Sequence, residues 1–236
     1  MNPSLNNDHG SLETAITGQY DFTISEVLSE AWERIDGYKW QYAVIASVYF
    51  VIYFAAAIAI GLLFYEKPTQ MEAAMQLVGV TLIPMSAALT MMGLSMATAQ
   101  PITVKQLFSY YDKLFLLIGL QILIGLAVVL GLVLLIIPGV YLMIALMFAI
   151  PLMLEKNLSI IDAFEASRKA VTHHWFKIFG VLLVMGIILF LSILPLGIGL
   201  IWTVPMMVTV IGVMYRRMFG IGEQMNAIEH QSTQYM

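Results

Sequence analysis

Four long apolar blocks separated by short polar stretches set the plan of this chain. Tyr42 to Tyr65 and Ala73 to Ala99 each match the about 20 apolar residues that cross a hydrocarbon core of about 30 Å. Leu114 to Leu154 and Ile178 to Tyr215 run almost twice that length without a charge, so each must fold back on itself. The expected breaks are Pro138-Gly139 and Pro195-Leu196-Gly197-Ile198-Gly199, because proline cannot continue a helix and glycine admits a tight turn. Six membrane-spanning helices result.

Each part of this pattern is preceded by the same signature. Thr23 with Glu26, Thr103 with Gln106 and Ser159 with Asp162 have capping-box spacing, and the apolar pairs Phe22/Val27, Ile102/Leu107 and Leu158/Ala163 have the spacing of a hydrophobic staple. The interval from Thr103 to Ser159 equals that from Ser159 to Tyr215. The sequence therefore predicts an all-α polytopic membrane protein of three parallel repeats, residues 22–99, 102–156 and 158–217, within one domain over 20–220. Each repeat opens with an interfacial amphipathic helix and continues into two spans. Residues 1–19, rich in Asn, Ser, Thr and Gly, are expected to be a disordered arm, and 221–236 a tail.

Composition agrees with this reading: 60% of the residues are hydrophobic and 11% charged, against the roughly 25% charged of soluble domains. No cysteine is present, which excludes a disulfide framework or a thiol nucleophile. The start of the chain lacks the basic and apolar regions of a cleaved signal, so the first span is expected to direct insertion. Ten of the eleven basic residues fall on one side of the six-span plan, and Lys67 alone on the other. The positive-inside rule then makes both termini cytoplasmic.

The stretch Ile137-Pro138-Gly139-Val140-Tyr141-Leu142 through Phe148-Ala149-Ile150-Pro151-Leu152, then Glu155-Lys156-Asn157-Leu158-Ser159 through Arg168, and the later Trp175-Phe176, resembles a bacterial membrane-protein group. That group includes the YciC-like inner-membrane proteins and the membrane domain fused to some glycerophosphodiester phosphodiesterases. The resemblance implies a multi-pass protein of the bacterial inner membrane. It carries no phosphodiesterase activity with it, since the chain has no room for that enzyme's catalytic barrel.

Little chemistry is left inside the apolar blocks. They hold no Asp, Glu, Lys, Arg or His in their interiors, the residues that proton relays and ion-coupled carriers use. Gln121 is the most polar of the interior side chains and is expected to make an interhelical hydrogen bond. The small-residue pairs Ala55/Ala59 and Gly93/Ala97 are expected to serve close helix packing. The 17 methionines read as adaptable packing rather than a copper site. Adjacent His173 and His174 point about 100° apart on a helix and do not chelate together, so no metal or other cofactor is expected.

The amphipathic segments remain as candidates. Ile24, Val27, Leu28, Ala31, Trp32 and Ile35 form one apolar face of the first, opposite an acidic stripe of Glu26, Glu30 and Glu33. Around the third, Arg168, Lys169, His173, His174 and Lys177 form a candidate surface for anionic lipid headgroups or a membrane-protein partner, not for nucleic acid. The acidic stripe is expected to face Arg168 and Lys169. The function expected from all this is non-enzymatic: a scaffold or envelope-homeostasis role in the membrane. The alternative is a transporter or flippase for an apolar or lipid-like substrate, for which repeats and proline-broken hairpins would suffice.

Overall fold

The computed structural model describes residues 10–194 and 196–222, all-helical and without a strand among them. Residues 1–9, Pro195 and most of the expected tail, 223–236, lie outside the described residues. Five stretches have the length and composition to cross a membrane: Lys39–Phe64, Pro68–Ala97, Val104–Leu134, Ile136–Glu155 and Trp175–Ile193. A multi-pass membrane protein follows from these helices.

The arm expected to be disordered is ordered from Gly10 onward. It contains α1 (Leu12–Ile16), which Ser11 and Thr14 close with a reciprocal capping box, and Ala15 is completely buried. Local polarity suggested disorder, but the burial of Ala15 and the bonds from His173 and His174 to the Ile16 and Gly18 carbonyls fix the segment. Next comes α2 (Ile24–Ile35), capped by Thr23 and Glu26, which buries Val27, Ala31 and Ile35. The second expected amphipathic helix is absent as an α-helix. Thr103 and Gln106 do form their capping box, but only the 3-10 turns Val104–Phe108 and Tyr111–Lys113 follow. Ser109, Tyr110 and Asp112 are poor helix formers, which explains the interruption.

The membrane helices are α3 (Lys39–Phe64), α4 (Pro68–Thr81), α5 (Ile83–Ala97), α6 (Leu114–Leu134), α7 (Ile136–Ala145), α8 (Ala149–Glu155) and α10 (Trp175–Ile193). The expected break at Pro138-Gly139 falls instead at Leu135, whose backbone is extended. Pro138 sits in the first turn of α7, where its missing N–H costs nothing; it is the carbonyl four residues earlier that its ring would strike, so the helix stops before it. Gly131 and Gly139 let α6 and α7 touch at the backbone, since a Cβ on Gly131 would lie 3.0 Å from the Gly139 Cα.

Between α7 and α8 the helix is interrupted at Leu146–Phe148. The fully buried Ser167 of α9 (Ile160–His173) donates its hydroxyl to the Ala145 carbonyl at 2.7 Å and accepts from the Phe148 N–H at 3.2 Å. A buried backbone break needs such partners. Gln121, by contrast, is exposed and makes no hydrogen bond among the described residues, so its expected interhelical bond is missing. Ala55 and Ala59 are likewise exposed rather than packed within the chain.

At the centre runs α11 (Leu200–Phe219), buried at Thr203, Pro205, Met206, Thr209 and most positions beyond. It packs chiefly against α5, with α2 laid along it on another side. The approach to α5 is very close: a Cβ on Gly93 would fall 2.1 Å from the Val208 carbonyl oxygen, and one on Gly212 would fall 2.1 Å from that of Gly93. Gly93 therefore serves close packing as expected. Phe148, Tyr215 and Phe219 form an aromatic cluster at the far end of α11, with ring centroids 5.0 to 6.1 Å apart. Tyr215 donates its hydroxyl to Glu155 at 2.8 Å.

Candidate functional site

The candidate surface begins on α9, whose first turn is capped by Ser159 through the Asp162 N–H at 3.2 Å. Its exposed edge carries Asp162, Glu165 and Lys169, and Lys169 pairs with Glu165 at 2.7 Å. Lys169 is thus satisfied one turn away on its own helix, and its hydrogen bond holds the Glu165 carboxyl below the usual range. Arg168 is half-buried and has no ion pair among the described residues. Beside it Thr172 returns its hydroxyl to the Arg168 carbonyl, and Tyr141 meets the same hydroxyl.

His173, His174 and Lys177 hold the N-terminal segment. His173 Nε2 lies 3.0 Å from the Ile16 carbonyl and His174 Nε2 lies 3.3 Å from that of Gly18; each nitrogen must donate, since a carbonyl only accepts. Gly18 adopts φ +74°, and a Cβ there would strike the His173 ring at 2.6 Å. Tyr20 sets its ring edge-on to His174 with centroids 4.8 Å apart and donates its hydroxyl to the Ala170 carbonyl at 2.8 Å. Burial pushes the Tyr20 hydroxyl well above its ordinary range, so it stays protonated and donating. Lys177 closes the strap with an ion pair to Asp21.

No model of a protein family, no curated protein and no solved structure matches this chain. The site must be read from its own residues.

A second charged cluster joins α2 to the end of α11. Glu30 on α2 receives Arg216 and Arg217 from the end of α11, with Arg217 Nη2 at 3.0 Å, and Arg34 approaches the same carboxylate at 3.5 Å. Arg217 also reaches Glu26 at 3.2 Å, while Arg216 donates to the Ala97 carbonyl at 3.0 Å. The acidic stripe therefore meets Arg216 and Arg217, not Arg168 and Lys169 as the sequence suggested. In the sequence both arginines serve only as markers of orientation. Their adjacency at the end of an apolar block is the sole sequence signal of a shared partner.

The strap should respond to acid. The hydrogen bond from Lys177, followed by that from the Phe22 N–H, lowers the Asp21 carboxyl below its usual range. A depressed native pKa contributes stability above the unfolded value, and that contribution is lost as pH falls through the native one. Amide exchange of residues 12–22, corrected for its intrinsic pH dependence, is therefore expected to quicken below about pH 4. Asp21→Asn should exchange faster at neutral pH and lose the acid response. An unchanged acid profile in that variant would remove Asp21 as the titrating group.

Proposed function

We propose that this chain is a non-enzymatic integral protein of the bacterial cytoplasmic membrane, related to the YciC-like inner-membrane proteins, with a scaffold or envelope-homeostasis role. The observation that carries the reading is the position of α11. The axis that a carrier would keep open is filled by a buried helix clasped between α5 and α2. Its buried threonines, Thr203 and Thr209, bond back to the carbonyls of Gly199 at the helix cap and Pro205 within it, at 3.2 and 2.8 Å.

Orientation finds support in parity. Counting α11 with the five apolar stretches gives six membrane helices, and the charged contacts between their flanking segments join groups separated by an even number of them. Asp21 pairs with Lys177 across four, Lys113 with Asn157 across two, and Glu30 with Arg216 across six. Groups in contact share one side of the bilayer, so both ends of the described chain share it too. The positive-inside rule makes that side cytoplasmic. Arg168, free of internal pairing among the described residues, is the residue of this surface best suited to an anionic headgroup.

Extraction into lipid nanodiscs tests the role. A scaffold should bring down a membrane protein or anionic lipid in fixed proportion. Movement of labelled phospholipid across vesicles containing this protein alone would instead establish the flippase reading.

A further inference from the structure

The hairpins α3–α4 and α6–α7 end differently. The turn between α3 and α4 is polar, with Glu66 and Lys67 exposed. The turn between α6 and α7 is a single residue, Leu135, set among Val133, Leu134, Ile136 and Ile137, and all five are more than two-thirds exposed. No other surface of the described chain presents five consecutive large aliphatic side chains to its surroundings so completely. At the turn the Leu135 N–H donates to the Gly131 carbonyl at 3.0 Å, the Gly139 N–H approaches the Leu135 carbonyl at 3.5 Å, and Pro138 has no N–H to satisfy. Such a row of exposed aliphatic side chains suits hydrocarbon and is ill-suited to an aqueous face.

Position points the same way. Tyr141 lies six residues past Leu135, about 9 Å along α7. Its carbonyl accepts from the Trp175 indole at 3.4 Å. Trp175 follows His174 directly, and Lys177, two residues on, holds Asp21 of the strap. The tip thus stands about two turns of helix beyond a level marked by charged, exposed groups, whereas a hydrocarbon core is about 30 Å thick. The strap and the tip cannot lie in water on opposite sides of an ordinary bilayer.

From this we infer that α6–α7 is a re-entrant hairpin: it enters the membrane from the side of the strap, ends among lipid acyl chains and returns by the same face. The inference rests on the cytoplasmic placement of the strap proposed above. It leaves parity unchanged, because a hairpin that enters and leaves by one face adds no crossing. Helix α6 is apolar over 21 residues, with Phe115, Leu126 and Leu130 exposed along it. That whole length contacts lipid if the hairpin lies obliquely. The partner of the tip is the hydrocarbon itself, and the hairpin acts as a wedge in one leaflet.

The absence of native cysteine makes the test direct. Lys67→Cys and Leu135→Cys would be treated, in intact cells expressing the full chain, with a charged, membrane-impermeant maleimide, and again after detergent solubilisation. A bimane group on the second variant, reconstituted in phosphatidylethanolamine–phosphatidylglycerol vesicles, would be exposed to lipids carrying nitroxides along the acyl chain. We expect Lys67→Cys to label in cells, Leu135→Cys to label only in detergent, and the bimane to be quenched. Labelling of both positions in cells would overturn the re-entrant hairpin and leave the orientation standing. Failure at Lys67→Cys would overturn the orientation, and the inference with it. Labelling at Lys67→Cys with no quenching at Leu135 would also reject lipid as the partner of the tip.

Discussion

Glu30→Ala is expected to cost about 3 kcal/mol of stability, because it strands two arginines in a poorly hydrated joint. The side chains of Glu30, Arg216 and Arg217 are only 16, 13 and 24% exposed. Arg216 keeps the Ala97 carbonyl as a partner and Arg217 keeps Glu26, but neither retains the shared carboxylate. Thermal unfolding in detergent micelles should show the loss, and amide exchange should place it in α2 first. A second variant separates the charge from the packing. Joining Glu30→Leu to Arg216→Met should recover most of the lost stability, since replacing a whole buried pair by apolar groups of similar size is often neutral or better. If Glu30→Ala unfolds like the parent chain, the cluster does not hold α2 to α11.

Gly212→Ala should be at least as damaging. The added methyl would meet the Gly93 carbonyl carbon at 2.5 Å as well as its oxygen, and these are backbone atoms that cannot rotate away. Helices α5 and α11 would have to separate along the main contact of the core. Overpacking of a closely packed core typically costs about 1–3 kcal/mol, and the upper end or beyond is expected where backbone meets backbone. Gly186 on α10 supplies the control, because a Cβ there meets nothing within 4 Å. Gly186→Ala should be neutral or stabilise by up to about 1 kcal/mol through helix propensity. Equal effects of the two substitutions on the unfolding midpoint would contradict the crossing geometry.

The parts of this architecture that were legible in the sequence are those whose cause is local. Thr23, Thr103 and Ser159 announce the turns they begin because cap and partner lie three residues apart. The apolar blocks announce membrane helices because length alone sets the requirement. The break before Pro138 was misplaced by only three residues, since the ring acts on the carbonyl behind it. What could not be read were the pairings across the chain. Nothing near Glu30 points to Arg216 rather than Arg168, as both are basic and the choice follows from which helix α2 lies against. The ordering of residues 10–19 escaped for the same reason. Its anchors are single contacts from Ala15, Ile16 and Gly18 to distant helices, and they leave no periodic trace.

The joining of α2 to the end of α11 has a consequence for biosynthesis. Tyr20 finds Ala170 at a separation of 150 residues, and Glu26 finds Arg217 at 191. Synthesis proceeds at about 5–20 residues per second, so α2 waits ten seconds or more, in round terms, for the arginines that neutralise it. Throughout that interval its apolar face, Val27, Ala31 and Ile35, lacks the helix that will cover it. A helix made early is thus among the last to be seated. A nascent chain halted before α11 would display an acidic amphipathic helix to whatever chaperone or insertase attends it.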